Sequence, residues 1–317
     1  MKLTQTTPET EDFLKEWYSD SEYVTAHTSG STGVPKEIKL LKQDMIASAS
    51  ATNRFFNITE SSRLVSPLSA SYIAGKMMIV RTVLAGATLE MLTPSNQLNL
   101  HGRITLLPIV PSQIESLMTY ADSDVKIDNV IVGGAPMTPD MECKLESFPA
   151  NCYATYGMTE TCSHVAIRKV GSPYFRALPG VRFEVDTSSR LLLRLRNFSF
   201  DVLQTNDVVE LRSHDSFRWL GRFDNVVNSG GVKLFPEEIE QEIAPYIKGE
   251  FYLGAMSHAK WGEQLVLCVT PSTVVDSEAM QMAVPHIKLP KKTVILEKFE
   301  YTSNGKIKRL IPARFKE

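Results

Sequence analysis

Long apolar runs are missing from this 317-residue chain. No stretch approaches the roughly 18 apolar residues that span a bilayer. The opening MKLTQTTPETEDFLKEWYSD lacks an apolar signal core, so a soluble, unexported protein without a membrane span is expected. Cysteine is scarce: Cys143, Cys152, Cys162 and Cys268 show neither CxxC spacing nor a His pair at metal-ligand distance. This argues against a zinc site and a disulfide framework and predicts a reducing, cytoplasmic setting. A dominant charge is also absent, with 34 Lys+Arg against 36 Asp+Glu. No global positive field gathers nucleic acid or anionic membrane, so no nucleic-acid partner is expected and any anionic ligand needs a local site. Tandem repeats and low-complexity segments are lacking, which sets solenoids aside.

What is present is alternation. Apolar or β-branched runs at 23–27, 63–66, 103–107, 129–132 and 152–155 read as strands, with helical patterns at 43–56, 73–84 and 111–119 between them. This is the signature of an α/β fold with mostly parallel sheets. From Val181 to Leu220 the pattern changes to short strands, predicting an antiparallel β subdomain. After Gly221 a glycine pair and the helix start Phe235-Pro236-Glu237-Glu238 announce a small C-terminal α+β unit. The expected division is residues 1–222 for an N-terminal domain and 223–317 for a mobile C-terminal lid.

Five groups of residues carry chemistry. HTSGSTGVPK follows the first strand; its hydroxyls, glycines and Lys36 suit phosphate oxygens, although GxxxxGK[ST] is absent. Gly133, Gly134 and Ala135 follow the strand at 129–132, where open α/β sheets bind ligands. YGMTET places Tyr156 to stack a base, Thr159 to bond phosphate and Glu160 to hold Mg2+ at the next strand end. Asp207 of TND and Arg222 of GRFD are the groups that would clamp vicinal ribose hydroxyls. TSNGKIKR sets Lys306 after a glycine turn.

Taken in order, HTSGSTGVPK, GGAP, YGMTET, TND, GRFDNVVNSGGVKLFPEEIE and TSNGKIKR closely resemble the acyl-adenylate-forming superfamily of acyl-CoA synthetases, luciferases and peptide-synthetase adenylation domains. The resemblance covers nearly the whole chain. It implies a large N-terminal domain and a small mobile lid, with ATP, Mg2+ and the co-substrate CoA as ligands. Thr28, Ser29, Ser31, Thr32 and Lys36 would line the phosphate loop. Gly133, Gly134, Ala135 and Tyr156 would hold adenine, with Gly157 also at the cofactor site, Asp207 and Arg222 the ribose, Thr159 the phosphate and Glu160 the metal. Asp224 takes the hinge position and Lys306 that of the lysine serving acyl-adenylate formation. Ser229, Gly230, Gly231 and Lys233 fall in the loop that approaches the pantetheine thiol in the CoA ligases.

Typical members carry a long segment before the phosphate loop, which starts here at residue 27. A reduced front half is therefore expected, with a second subunit in a homodimer as one way to cover it. Within the superfamily, SPLSASYIAGKMMIVRTVLAGA and YGMTETCSHVAIR look most like the o-succinylbenzoate–CoA ligases of menaquinone biosynthesis, ahead of a generic aryl- or fatty-acyl-CoA ligase. A nucleotide-binding module without catalysis is disfavoured by Lys306, Glu160 and Asp207 occurring together. The acid pocket would be Tyr72, Lys76, Arg81 and His164. Lys76, four residues from Tyr72 on a helix, is the expected partner of the spare carboxylate, with Arg81 behind it.

Overall fold

Helix α1 (Pro8–Tyr18) opens on proline and buries Thr10, Phe13 and Trp17, three or four residues apart, which is the spacing of one helical face. Helix α2 (Lys42–Phe56) does the same with Met45, Ala49, Thr52 and Phe56. Helix α3 (Ile73–Ala85) is buried from Met77 through Thr82, around its whole circumference, because α1, α2 and the strands Arg63–Ser66 and Thr88–Met91 enclose it. This computed structural model describes residues 2–28, 36–301 and 307–310.

Two sheets organise the part before residue 223. A parallel three-stranded sheet runs in the order Lys2–Gln5, Thr88–Met91, Arg63–Ser66. The second sheet has nine strands. Its parallel end is Leu107–Ile109, Asn129–Val132 and Asn151–Gly157. It continues antiparallel through His164–Lys169, Phe175–Ala177, Ser216–Arg222, Val202–Ser213, Arg190–Leu195 and Val181–Val185.

The antiparallel strands expected after Val181 are present, as the hydrogen-bonded continuation of the parallel sheet. The sequence reading is corrected in two places. The strand expected at 103–107 divides into Arg103–Ile104, paired with Lys126–Ile127, and Leu107–Ile109 at the sheet edge, where Pro108 costs no ladder bond. The helix expected at 111–119 starts as a 3-10 turn, Pro111–Gln113, and only Ile114–Met118 is α-helical.

Beyond the turn Phe223–Asn225 the chain builds a sheet of its own from Val227–Ser229, Val232–Leu234, Phe251–His258, Gly262–Val269 and Lys292–Ile295. Helix α4 (Pro236–Ile243) packs Ile239 and Ile243 beneath it. The same helix docks on the large sheet, because Arg218 Nη1 lies 2.6 Å from Glu238 Oε1 and Asn225 donates to Glu237.

Candidate active site

The chain's second and third strands, Tyr23–Thr28 and Lys36–Leu41, pair antiparallel with Thr28 opposite Lys36, and the Ser/Thr/Gly run lies between them in the sequence. Ser29, Ser31 and Thr32 lie outside the described residues, as do the side chains of Thr28 and Lys36. Lys306 lies outside them as well.

The other strand ends meet. Val132 is in register with Ala154, which sets Gly133 and Gly134 beside Thr155 and Tyr156 at the carboxyl edge of two adjacent parallel strands. Ala135 follows on the same loop. Tyr156 leans edge-on against Phe217 and Phe175, with ring centroids 5.2 and 5.8 Å away. Its hydroxyl donates to Asp207 Oδ2 over 2.6 Å. Burial, and then the neighbouring Asp207 carboxylate, hold the phenol well above its ordinary range, so it stays a donor. Trp219 Nε1 donates to Asp207 Oδ1 over 3.1 Å, and Arg222 Nη1 approaches the same oxygen at 3.7 Å. Asp207 is buried, whereas Arg222 is 44% exposed along its side chain and also lies 4.0 Å from Asp224. Asp207 and Arg222, expected at the ribose, thus lie side by side, and two aromatic donors orient the carboxylate. Trp219 is absent from the motif reading, although its alternation with Phe217 along one strand places both on one face.

Gly157 is required by close approach. A Cβ there would sit 2.3 Å from the Ser163 carbonyl oxygen and 2.5 Å from the His164 Cα. That contact folds 157–164 into a tight loop around the turn Thr159–Thr161, in which the Thr161 hydroxyl bonds Met158 and Ser163 and Cys162 takes φ +61°. Glu160 projects from this turn, exposed, with no hydrogen-bond or ion-pair partner among the described residues. One free carboxylate suits Mg2+, which takes one or two protein carboxylates and completes its octahedron with phosphate oxygens and water.

The four acid-pocket candidates separate. Tyr72 is the exposed N-cap of α3. Lys76 points back to the N-terminal helix: its Nζ donates to the Thr25 carbonyl over 2.7 Å, lies 3.4 Å from Glu16 and sits above the Phe13 ring. Its charge is already matched, so the expectation that it receives a substrate carboxylate, with Arg81 behind it, is corrected. Arg81 lies on another side of α3, 2% exposed, and donates to Ser163 Oγ at 2.9 Å and to the Met78 sulfur at 3.3 Å. Its Nε has no acceptor and no carboxylate faces it among the described residues. Burial pushes the guanidinium down to about 9. His164, also buried, lies 3.2 Å from the Thr52 hydroxyl, and Ser48 bonds Ser163 at 2.7 Å. Burial, then the nearby Arg81 charge, hold His164 well below its usual range, so it is neutral.

Gly230 and Gly231 form a two-residue hairpin turn between Val227–Ser229 and Val232–Leu234, with φ +59° and +85°, and Ser229 and Lys233 lie in the strands it joins. Both central positions of such a turn need positive φ, which is why the residues are glycine. Lys233 is exposed beside it.

A profile of the AMP-binding enzyme family matches residues 4–188. The chain belongs to the AMP-binding enzyme family. This AMP-binding enzyme is 29% identical to an acyl-CoA synthetase (AMP-forming)/AMP-acid ligase II-like protein from Dyadobacter fermentans, covering 96% of this chain and 95% of that one with a TM-score of 0.64. It is 26% identical to the 2-succinylbenzoate–CoA ligase of Listeria innocua, over 97% of this chain and 73% of the relative. The o-succinylbenzoate coenzyme A synthetase of Bacillus subtilis, solved with ATP and magnesium ion, superposes with a TM-score of 0.75 at 18% identity, over 89% of this chain and 68% of that one. The adenylate-forming fold expected from the motifs is therefore the fold observed. No helix among the described residues is long and apolar enough to cross a membrane.

Proposed function

We propose that this AMP-binding enzyme is an AMP-forming acid–thiol ligase that activates o-succinylbenzoate as its acyl-adenylate and transfers the acyl group to CoA. The observation that carries the substrate assignment is the buried Arg81 guanidinium without a carboxylate partner, beside the loop that carries Thr159 and Glu160. A buried cation held only by a hydroxyl and a sulfur is unfavourable until an anion reaches it. o-Succinylbenzoate keeps one carboxylate free while the other reacts.

In this reading the succinyl carboxylate attacks the α-phosphorus of ATP and pyrophosphate leaves; the CoA thiol then attacks the acyl carbonyl and AMP leaves. Tyr156 and Trp219 orient Asp207 toward the ribose hydroxyls, and Arg222 adds its fork from the exposed side. Glu160 would hold Mg2+, whose charge offsets that of the phosphates. Lys306 would stabilise charge in the first transition state only. Residues 223–317 act as a lid that turns at Asp224 and brings the Gly230–Gly231 turn to the site for the second step. The reading also takes the cytoplasm as the location and a homodimer as the assembly, which sedimentation equilibrium measures.

Acid-dependent ATP–pyrophosphate exchange tests the assignment. Exchange with o-succinylbenzoate, followed by formation of its CoA thioester, is expected. Exchange with benzoate or medium-chain fatty acids and none with o-succinylbenzoate would make the enzyme a generic acyl-CoA ligase.

A further inference from the structure

The segment immediately after Lys306 is tied down at several points. Ile307 bridges to Tyr301 and packs on an apolar cluster that includes Tyr252 and Phe299. Lys308 N donates to the Glu300 carbonyl at 2.8 Å, and the Tyr252 hydroxyl donates to the Leu310 carbonyl at 2.6 Å. Between them, Arg309 drives its guanidinium inward. It forms a two-pronged pair with Glu240 of α4, with Nη2 2.8 Å from Oε2 and Nη1 on Oε1, and Nη1 also donates to the Leu253 carbonyl at 2.9 Å. Its Nη2 lies 3.7 Å from Glu237, which in turn accepts from Asn225 in the turn that contains Asp224.

Stability alone does not call for this arrangement, since apolar side chains of similar volume generally hold a buried position at least as well as an ion pair. A planar fork on a carboxylate adds direction. Lysine carries a compact charge on a flexible four-carbon stem, so its usefulness at one transition state depends on where its backbone is held. The chain of contacts Asn225–Glu237–Arg309–Glu240 joins the residues that follow that lysine to α4 and to the turn about which the lid would rotate.

We propose that Arg309, clamped by Glu240 and Glu237, is a positioning residue for Lys306 in acyl-adenylate formation. The inference rests on the function proposed above. The two half-reactions are measured separately in the full-length enzyme: o-succinylbenzoate-dependent pyrophosphate exchange, and thioester formation from supplied acyl-adenylate and CoA. Arg309→Gln should lower the kcat of exchange by about tenfold or more, with the KM values for ATP and acid and the rate of thioester formation within about twofold. Arg309→Lys should fall between Arg309→Gln and the parent, because it keeps the charge and loses the fork. Glu240→Gln, which preserves shape, should show the same split and serves if Arg309→Gln does not fold. Equal loss of both half-reactions in Glu240→Gln, by unfolding or otherwise, or unchanged exchange in the Arg309 variants, overturns the inference. Lys306→Ala is the reference: if it separates the half-reactions and the Arg309 variants do not, the inference alone fails. If Lys306→Ala separates nothing, the role proposed for that lysine falls and takes the inference with it.

Discussion

The phenol of Tyr156 and the carboxylate of Asp207, fifty-one residues apart in sequence, are joined by a 2.6 Å hydrogen bond between the parallel and antiparallel parts of one sheet. Tyr156→Phe would keep the ring against Phe175 and Phe217 but leave a buried carboxylate oxygen without its donor. A hydrogen bond to a charged group contributes about 1.5–3 kcal/mol, so the KM for ATP should rise roughly tenfold. Exchange kinetics at varied ATP read this directly, and an unchanged KM would remove Tyr156 from the nucleotide site.

Arg81 and Lys76, on one helix, should respond in opposite ways. Arg81→Met removes a buried cation that no carboxylate balances, so the ligand-free protein should melt at the same temperature or higher. The same change should raise the KM for o-succinylbenzoate by about thirtyfold or more, equivalent to a loss of at least about 2 kcal/mol. Lys76→Met breaks the contacts to Thr25 and Glu16 and should cost about 1 kcal/mol of stability while leaving that KM alone. Thermal melts and acid-dependent kinetics on the two variants decide which cation meets the substrate.

His164 predicts an acid-side loss of stability. Its folded form resists protonation, because burial and then Arg81 depress its proton affinity, while in the unfolded chain it takes up a proton near its ordinary value of about 6.5. Below that pH the unfolded state binds more protons, so stability falls as pH drops. The slope from this group approaches about 1.4 kcal/mol per pH unit. Chemical denaturation between pH 7 and 5 should show the slope, and His164→Gln should flatten it.

Gly157 has no room for a side chain unless the backbone moves. Alanine there would force apart the backbone at Ser163 and His164, costing about 1–3 kcal/mol and shifting the turn that holds Thr159 and Glu160. Exchange should fall more than the change in melting temperature accounts for, and magnesium titration should show a weaker metal requirement curve. A variant with parental exchange would mean that the turn does not contribute to the site.

The motifs at the strand ends are legible in the sequence because a glycine-rich turn after an apolar run has a local cause. Long-range register has none. Asp207 faces Arg222 only because a bulge at Val208/Val209 adjusts the pairing of two long strands. Helical spacing puts Tyr72 and Lys76 on one face, but it does not say that this face meets Glu16, sixty residues earlier. Nor does it say that Arg81 turns into the core toward Ser163. Trp219 escapes motif reading because a tryptophan in a strand usually signals packing, and here its indole N–H also orients a carboxylate.

The continuity of the nine-stranded sheet has a practical side. The connection 196–201, between Arg190–Leu195 and Val202–Ser213, separates Tyr156 from Asp207 along the chain. Two polypeptides divided there would each carry part of the proposed nucleotide site, and neither fragment could assemble the Tyr156–Asp207–Arg222 cluster alone. Retention of labelled ATP by a mixture of the two halves would report that the strands had re-paired in native register, which turns nucleotide capture into an assay for sheet reconstitution.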